Sequence, residues 1–346
     1  MILLDLFAGI GGFAKGFLEA GLPITRHYFS EIDKQCISVY QKHFTGAELL
    51  GDVRTITAIP ERPNIVTFGF PCQDLSIAGK GTGLDGDRSG LFFEAIRIIR
   101  ETQPDVFIFE NVRGLLSNNG GRDFTRCLKE ISNIGLYDCE WQLLNTRWLL
   151  PQNRERVYFV GHLGNGSTRK VFPVTESDFV RTERNTSEKG LHKPASTLMA
   201  RAYASWNGNF IVENTKRNAQ AQRVNSIYKH SVTLSAQGGG QGARTGLYAV
   251  PVITPQRLNK RQKGRRFKED GEPMFTLTSQ DTHGVFDGIR IRRLTPVECE
   301  RLQGFPDDWT RYGTGGKELS DNARYRMLGN AVSVPVVKLI AERMFS

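Results

Sequence analysis

Over residues 1–162 short apolar runs alternate with segments whose apolar residues recur every three or four positions. The apolar runs Ile2–Phe7, Ile24–Ser30, Asn64–Phe68, Asp105–Phe109, Tyr137–Leu144 and Val157–Gly161 predict strands. Between them, Gly12–Ala20, Lys34–His43, Gly90–Glu101 and Asp123–Ile134 carry helical spacing, with Phe92, Ile96 and Ile99 on one face. This alternation predicts an α/β fold built on a doubly wound, mostly parallel sheet. In such folds ligands bind beyond the carboxyl ends of the strands. Asp5–Gly12, Glu31, Cys72 and Glu110 all fall at those ends.

After Gly161 the pattern changes. Residues 164–290 are rich in Gly, Ser, Thr, Asn and Arg, with few helix signals. Three short segments there are alike: Lys193-Pro-Ala-Ser-Thr-Leu, Lys229-His-Ser-Val-Thr-Leu and Glu272-Pro-Met-Phe-Thr-Leu. Their threonines, Thr197, Thr233 and Thr276, are 36 and 43 residues apart. They read as repeated strand-and-loop units of a small β-rich domain, although matches this short also arise by chance. Regular structure resumes near Arg292. Thr295, Pro296 and Glu298 spell a helix start with a capping box, and Val334–Phe345 is a second helix with Val337, Ile340 and Met344 on one face.

Composition narrows the class. A chain of 346 residues fits one large and one small domain. No apolar run approaches the ~20 residues of a membrane helix. Met1–Asp5 lacks a basic leader and reads as a strand rather than a signal peptide. Five cysteines with no Cys-x-x-Cys pair argue against a disulfide scaffold or a zinc ribbon and favour a reducing cytoplasm. Charge is unevenly spread. Residues 169–293 hold 22 Lys and Arg against 10 Asp and Glu, while the remainder holds 24 against 26. A near-neutral body thus carries a basic module suited to a polyanion, or simply a basic solvated surface.

The candidate chemistry sits in four places. Asp5-Leu-Phe-Ala-Gly-Ile-Gly-Gly-Phe13 follows the first strand and opens a helix, so its glycines admit close approach of a ligand to free N–H groups. Gly9, Gly11, Gly12 and Gly16 fit the nicotinamide-type fingerprint poorly. Glu31, at the end of the second strand, suits a ribose diol, and Asp52 suits an adenine amine; a purely structural tight turn is the alternative. Cys72 lies in a Pro-Cys turn just past a strand. A thiol of pKa ~8.5 needs help to become a nucleophilic thiolate, whereas Cys36, Cys127, Cys139 and Cys299 lie in patterns typical of buried structural cysteines. Glu110, ending the Asp105–Phe109 run, can trade protons near neutrality or merely terminate a strand. In Gln152-Asn153-Arg154-Glu155-Arg156 an extended chain points Gln152, Arg154 and Arg156 to one face, toward an anion or a carbonyl oxygen; a surface ladder with Glu155 is the other possibility.

Together these segments resemble the bacterial and phage type of the DNA (cytosine-5)-methyltransferase family. The resemblance rests on Asp5–Phe13, Glu31, Asp52, Gly69–Gln73 with Ser76, Glu110-Asn111-Val112, Gln152–Arg156, Arg293–Trp309 and Gly329-Asn330-Ala331-Val332, in the family's order. It is weakest across 164–290. It implies a Rossmann-like S-adenosylmethionine-dependent domain of residues 1–163 and 325–346, and a smaller, β-rich target-recognition domain of residues 164–324. It implies catalytic roles for Cys72, Glu110, Arg154 and Arg156. Phe7, Ala8, Gly9, Ile10, Gly11, Gly12, Glu31, Ile32, Asp52, Val53, Pro71, Leu91, Asn330 and Val332 match cofactor positions, with Asn330 implying that the C-terminal helix folds back onto the first domain. Gln73 and Ser76 match the DNA side, and Lys260, Arg261, Lys263, Arg265 and Arg266 form a candidate phosphate-contacting loop or a solvated one. The implied partner is double-stranded DNA, with a cognate restriction endonuclease, S-adenosylhomocysteine as product, no metal, no membrane and a monomeric state. An RNA methyltransferase sharing the motifs and a non-catalytic DNA-binding accessory protein are the competing functions.

Overall fold

The computed structural model describes residues 1–70, 90–164, 170–175, 250–254, 265–269, 272–279, 281–286 and 291–345. Pro71, Cys72, Gln73, Ser76, Lys260, Arg261, Lys263 and the first two Thr-Leu segments lie outside the described residues.

Seven strands form the main sheet: β1 (Ile2–Leu6), β2 (Arg26–Ser30), β3 (Glu48–Gly51), β4 (Ile65–Phe68), β5 (Val106–Val112), β6 (Tyr137–Asn145) and β7 (Glu155–Leu163). Their order is β3-β2-β1-β4-β5-β7-β6. The first five run parallel, and β7 is antiparallel to both of its neighbours. The order reverses between β1 and β4, so the crevice expected of an open α/β sheet opens at their carboxyl ends. The helices α1 (Gly12–Glu19), α2 (Lys34–His43), α3 (Leu91–Thr102) and α4 (Arg122–Ser132) follow the predicted segments within a residue or two.

Alternation along the strands sends successive side chains to opposite faces. Leu3 joins a core with Phe13, Phe17, Val39 and Tyr40, whereas Leu4 and Leu6 join one with Phe92, Ile96, Ile99 and Ile131. Each fully buried Phe or Leu here contributes about 1.5–3 kcal/mol over its exposed state. Among the described residues no helix is long and apolar enough to cross a membrane.

The C-terminal part contributes α5 (Pro296–Gln303), α6 (Asp321–Asn330) and α7 (Val334–Phe345). Thr295 caps α5 in the expected box: its side chain accepts from the Glu298 N–H, and the Glu298 carboxylate accepts from the Thr295 N–H. α7 lies along α1, with Val337 against Gly16, which is the fold-back of the C-terminus. Cys299, Leu302, Phe305 and Trp309 enter the same core as Phe13 and Phe17. Residues 296–309 therefore pack with the large sheet's helices, although the resemblance groups them with the small domain. Three short antiparallel strands, β8 (Val250–Ile253), β9 (His283–Phe286) and β10 (Ile291–Arg293), make a second sheet in the order β10-β9-β8.

Two elements depart from the sequence pattern. β3 is an edge strand with exposed Glu48 and Leu49 and no alternation to announce it. α6 buries Arg324 beside Ala323, Met327 and Leu328, so its inward face is only partly apolar. The third Thr-Leu segment is also no strand. Residues 272–279 make a single bridge, Met274 to Gln152, and dock on residues 151–154.

Candidate active site

The glycine loop after β1 turns back through left-handed backbone at Phe7 (φ 52°), Gly9 (φ 54°) and Gly11 (φ 84°). Gly11 is fixed for a second reason. A Cβ there would lie 2.2 Å from Phe44 Cε2. The loop is tied to β2 by the Ala8 N–H donating to the Ser30 carbonyl at 3.0 Å.

Glu31 completes it. One carboxylate oxygen accepts from the Gly9 N–H at 2.9 Å, and the other accepts from the N–H groups of Ile32 and Asp33 at 2.8 and 2.9 Å. Ile32 stands beside it with 68% of its surface exposed, an unusual setting for an isoleucine.

The remaining cofactor candidates divide. Asp52 follows β3, caps the short turn Val53–Thr55 and pairs with Arg54, whose guanidinium holds its carboxyl below the usual range. Val53 is buried beneath it, and Ala8 and Ile10 are also buried. Leu91 starts α3, half-buried. Asn330 is exposed at the end of α6, and Val332 presses on Gly12.

Sequence patterning passed over the support beneath the loop. Asp5 is fully buried and accepts from Thr67 Oγ1 at 2.8 Å and Tyr40 Oη at 3.0 Å. Burial outweighs these bonds and pushes its carboxyl up to about 7. Tyr40 also lies 2.6 Å from His27 Nε2. Only the odd placement of an Asp in an apolar strand signals this network.

At the other side of the crevice stands Glu110, near the end of β5 and 8% exposed. Arg156 Nε approaches Glu110 Oε1 to 2.8 Å as an ion pair whose N–H is not aligned on the oxygen. The other oxygen, Oε2, faces Gly69. Asn111 Nδ2 donates to the Phe70 carbonyl at 3.2 Å, and Phe70 packs in a cluster with Phe68, Phe92 and Phe109. The residues that lead into Cys72 are thereby fixed beside Glu110.

Gln152, Arg154 and Arg156 do not act together. Arg156 serves Glu110, while Gln152 and Arg154 are turned into the interior, 0% and 2% exposed. Arg154 donates to the carbonyls of Leu277 (2.9 Å), Ala331 (2.7 Å) and Gly329 (3.4 Å). Gln152 donates to the Leu302 carbonyl at 2.6 Å and accepts from the Leu277 N–H at 2.9 Å. Gly329 is needed where it stands, since a Cβ would meet the Thr278 backbone at 2.3 Å. Glu155 points outward to Arg113, so there is no ladder along this segment. On the basic loop, Arg265 pairs with Glu272 and Glu269, and Arg266 reaches the Thr254 carbonyl.

The sequence profile of the C-5 cytosine-specific DNA methylase family matches residues 1–346. The chain belongs to that family. This methyltransferase is 30% identical to the orphan methyltransferase M.SPRI of Bacillus phage SPR over 428 aligned positions, covering 99% of this chain and 97% of the relative. It is likewise 30% identical to the type II methyltransferase M.HpaII of Haemophilus parainfluenzae over 350 positions, covering 99% and 88%. Its fold is similar to that of a putative DNA modification methyltransferase encoded within an E. coli prophage, with a TM-score of 0.60 at 19% identity over 100% of this chain and 98% of the other. The S. pombe Dnmt2 methyltransferase gives 0.59 at 18%, over 99% and 97%.

Membership of the family implies S-adenosylmethionine as methyl donor, and the crevice fits it. Gly9 has open space where a Cβ would stand, α1 begins without a side-chain cap, and Glu31 offers a carboxylate at a strand end beside exposed Ile32. Glu31 suits a ribose diol, the uncapped start of α1 a carboxylate, and the exposed Ile32 an adenine face.

Proposed function

We propose that the enzyme methylates C5 of one cytosine within a specific sequence of duplex DNA, with the base turned out of the helix into the crevice beside Glu110. The observation that carries this is the Glu110–Arg156 pair, built on β5 and β7 next to the segment that leads into Cys72. S-adenosylmethionine, when bound between the glycine loop, Glu31 and Asp52, supplies the methyl group. In this reading the Cys72 thiolate adds to C6 of the cytosine, and C5 becomes nucleophilic. Glu110 delivers a proton to N3 as negative charge builds there and holds the exocyclic amine. Arg156 steadies the O2 side of the ring. After transfer a base removes the C5 proton, the C6–sulfur bond breaks to regenerate the thiolate, and Glu110 takes back the N3 proton.

Arg154 acts from beneath. Its guanidinium is spent on main-chain carbonyls, which supports a role in holding the crevice wall rather than in meeting the base. Residues 164–324, with their basic stretch 169–293, supply target recognition on the duplex, and the enzyme works in the cytoplasm as a monomer. Relatives named type II methyltransferases support a role in protecting DNA from a cognate restriction endonuclease.

The test is labelled methyl transfer into duplex DNA rich in short sites, with bisulfite sequencing to read the target. Cys72→Ser is expected to bind DNA and cofactor but not to turn over. Absence of label in every DNA, or full turnover by Cys72→Ser, overturns the assignment.

A further inference from the structure

Trp309 lies in the turn after α5, 299 residues from Ile10, yet it holds the glycine loop. Its indole N–H donates to the Ile10 carbonyl at 3.0 Å. The ring stacks on His43 with centroids 3.6 Å apart and planes within 5°, and His43 Nε2 donates back to the Trp309 carbonyl at 2.8 Å. Phe44 meets Trp309 edge-on and fills the space beside Gly11. One aromatic cluster thus touches the loop at two consecutive residues.

The turn that presents Trp309 is itself rigidly built. Asp308 adopts φ 60°. Glu300, fully buried, accepts from the N–H groups of Asp308 and Thr310 at 2.7 and 2.8 Å and pairs with Arg324 at 3.0 Å. The same C-terminal stretch grips the other half of the site. Arg326 pairs with Asp33 and donates to Gln35 at 2.8 Å, and Asp33 is a residue whose N–H holds Glu31.

A loop with several left-handed residues has much conformational freedom to lose when it orders around a ligand. A contact that orders it beforehand lowers that cost and raises affinity. Trp309 is 7% exposed and meets the loop on its buried side. We infer that Trp309 is a positioning residue for the cofactor loop: its indole N–H fixes the Ile10 carbonyl and so sets S-adenosylmethionine affinity without touching the cofactor. This rests on the reading that residues 7–12 and Glu31 form the cofactor site.

The test measures S-adenosylmethionine binding to the full-length protein by calorimetry, without DNA. Trp309→Phe keeps a stacked ring and removes the donor. Its dissociation constant is expected to rise three- to tenfold, with kcat at saturating cofactor within twofold and duplex affinity unchanged. Phe305→Leu thins the same packing without touching the bond, so it lowers the unfolding midpoint but leaves cofactor affinity within twofold. Glu31→Ala checks the site itself. Weakened binding in Glu31→Ala beside unchanged binding in Trp309→Phe overturns the inference, and so does equal weakening by Phe305→Leu. If Glu31→Ala binds normally, the site reading falls and takes the inference with it. Should Trp309→Phe not fold, His43→Phe keeps the stack and frees the Trp309 carbonyl; a rise of twofold or more supports the role, and no change overturns it.

Discussion

The two sides of the crevice are held by different means. On the β1–β3 side, Glu31 is satisfied by main-chain N–H groups within its own turn and the neighbouring loop. On the β5–β7 side, Glu110 depends on a guanidinium from another strand, and the chain around Arg156 is anchored through Arg154 and Gln152 to carbonyls more than 120 residues away. On the first side the contacts to the carboxylate are local, and distant residues such as Trp309 and Arg326 only brace the loop and its turn from behind. The second exists only when distant parts of the chain have come together.

The comparison can be broken most severely at Glu110. Glu110→Gln keeps the shape but cannot deliver the proton as an acid, and its turnover is expected to fall ~10²–10⁴-fold while cofactor binding is unchanged. Loss of cofactor binding in the same variant would show that the two sides are not separable. Arg154→Met comes next. It strands buried carbonyls of Leu277, Gly329 and Ala331, which costs about 2–4 kcal/mol, read as a lowered urea midpoint. A surface arginine would cost far less, so a change under 1 kcal/mol argues against the anchoring role. Glu31→Gln weakens one side only: cofactor affinity is expected to drop ~10-fold, with duplex affinity intact.

A pH-dependent effect lies below the loop. Burial holds Asp5 near 7, against 3.8 when unfolded. The native state therefore keeps a proton that the unfolded chain releases, and this group's contribution to stability declines as pH rises from about 4 to 7. His27 and His283, lowered by burial to about 4, act oppositely: the unfolded chain takes up their protons first, so their contribution is lost as pH falls below 6.5. Asp5→Asn removes the first slope alone. Its stability relative to the parent is expected to be about 2 kcal/mol more favourable at pH 8 than at pH 5, measured by urea unfolding at both pH values. An equal difference at both pH values refutes the buried, proton-holding Asp5.

How much of this was legible follows the same division. Helical spacing and strand runs announced α1 to α4 and most of the sheet, because each buries a face that its own residues define. Glycines and a carboxylate at strand ends marked the cofactor side, since the chemistry there is local. Gln152 and Arg154 looked like partners of Arg156 because spacing records only direction along the chain. Their burial comes from segments near 277, 302 and 330, which no local pattern connects. β3 and α6 stayed hidden for related reasons: an exposed edge strand has no alternation, and a helix that buries Arg324 against Glu300 shows a weak apolar stripe. Trp309 stood out only as the last residue of the Arg293–Trp309 segment, and its hydrogen bond to Ile10 could be seen only in three dimensions.

The docking of residues 274–277 has a consequence for inheritance. Gln152 and Arg154 hold Leu277 by its N–H and its carbonyl. Met274 exchanges main-chain bonds with Pro151 and Asn153, and Gly329 lies against bare backbone. A clasp that grips peptide groups asks little of the side chains passing through it beyond the apolar Met274 and Leu277. The sequence leading up to it can drift, lengthen or be exchanged between lineages while the enzyme body stays as it is. On the proposed assignment of residues 164–324 to target recognition, what the molecule reads can thus change without changing how it reacts.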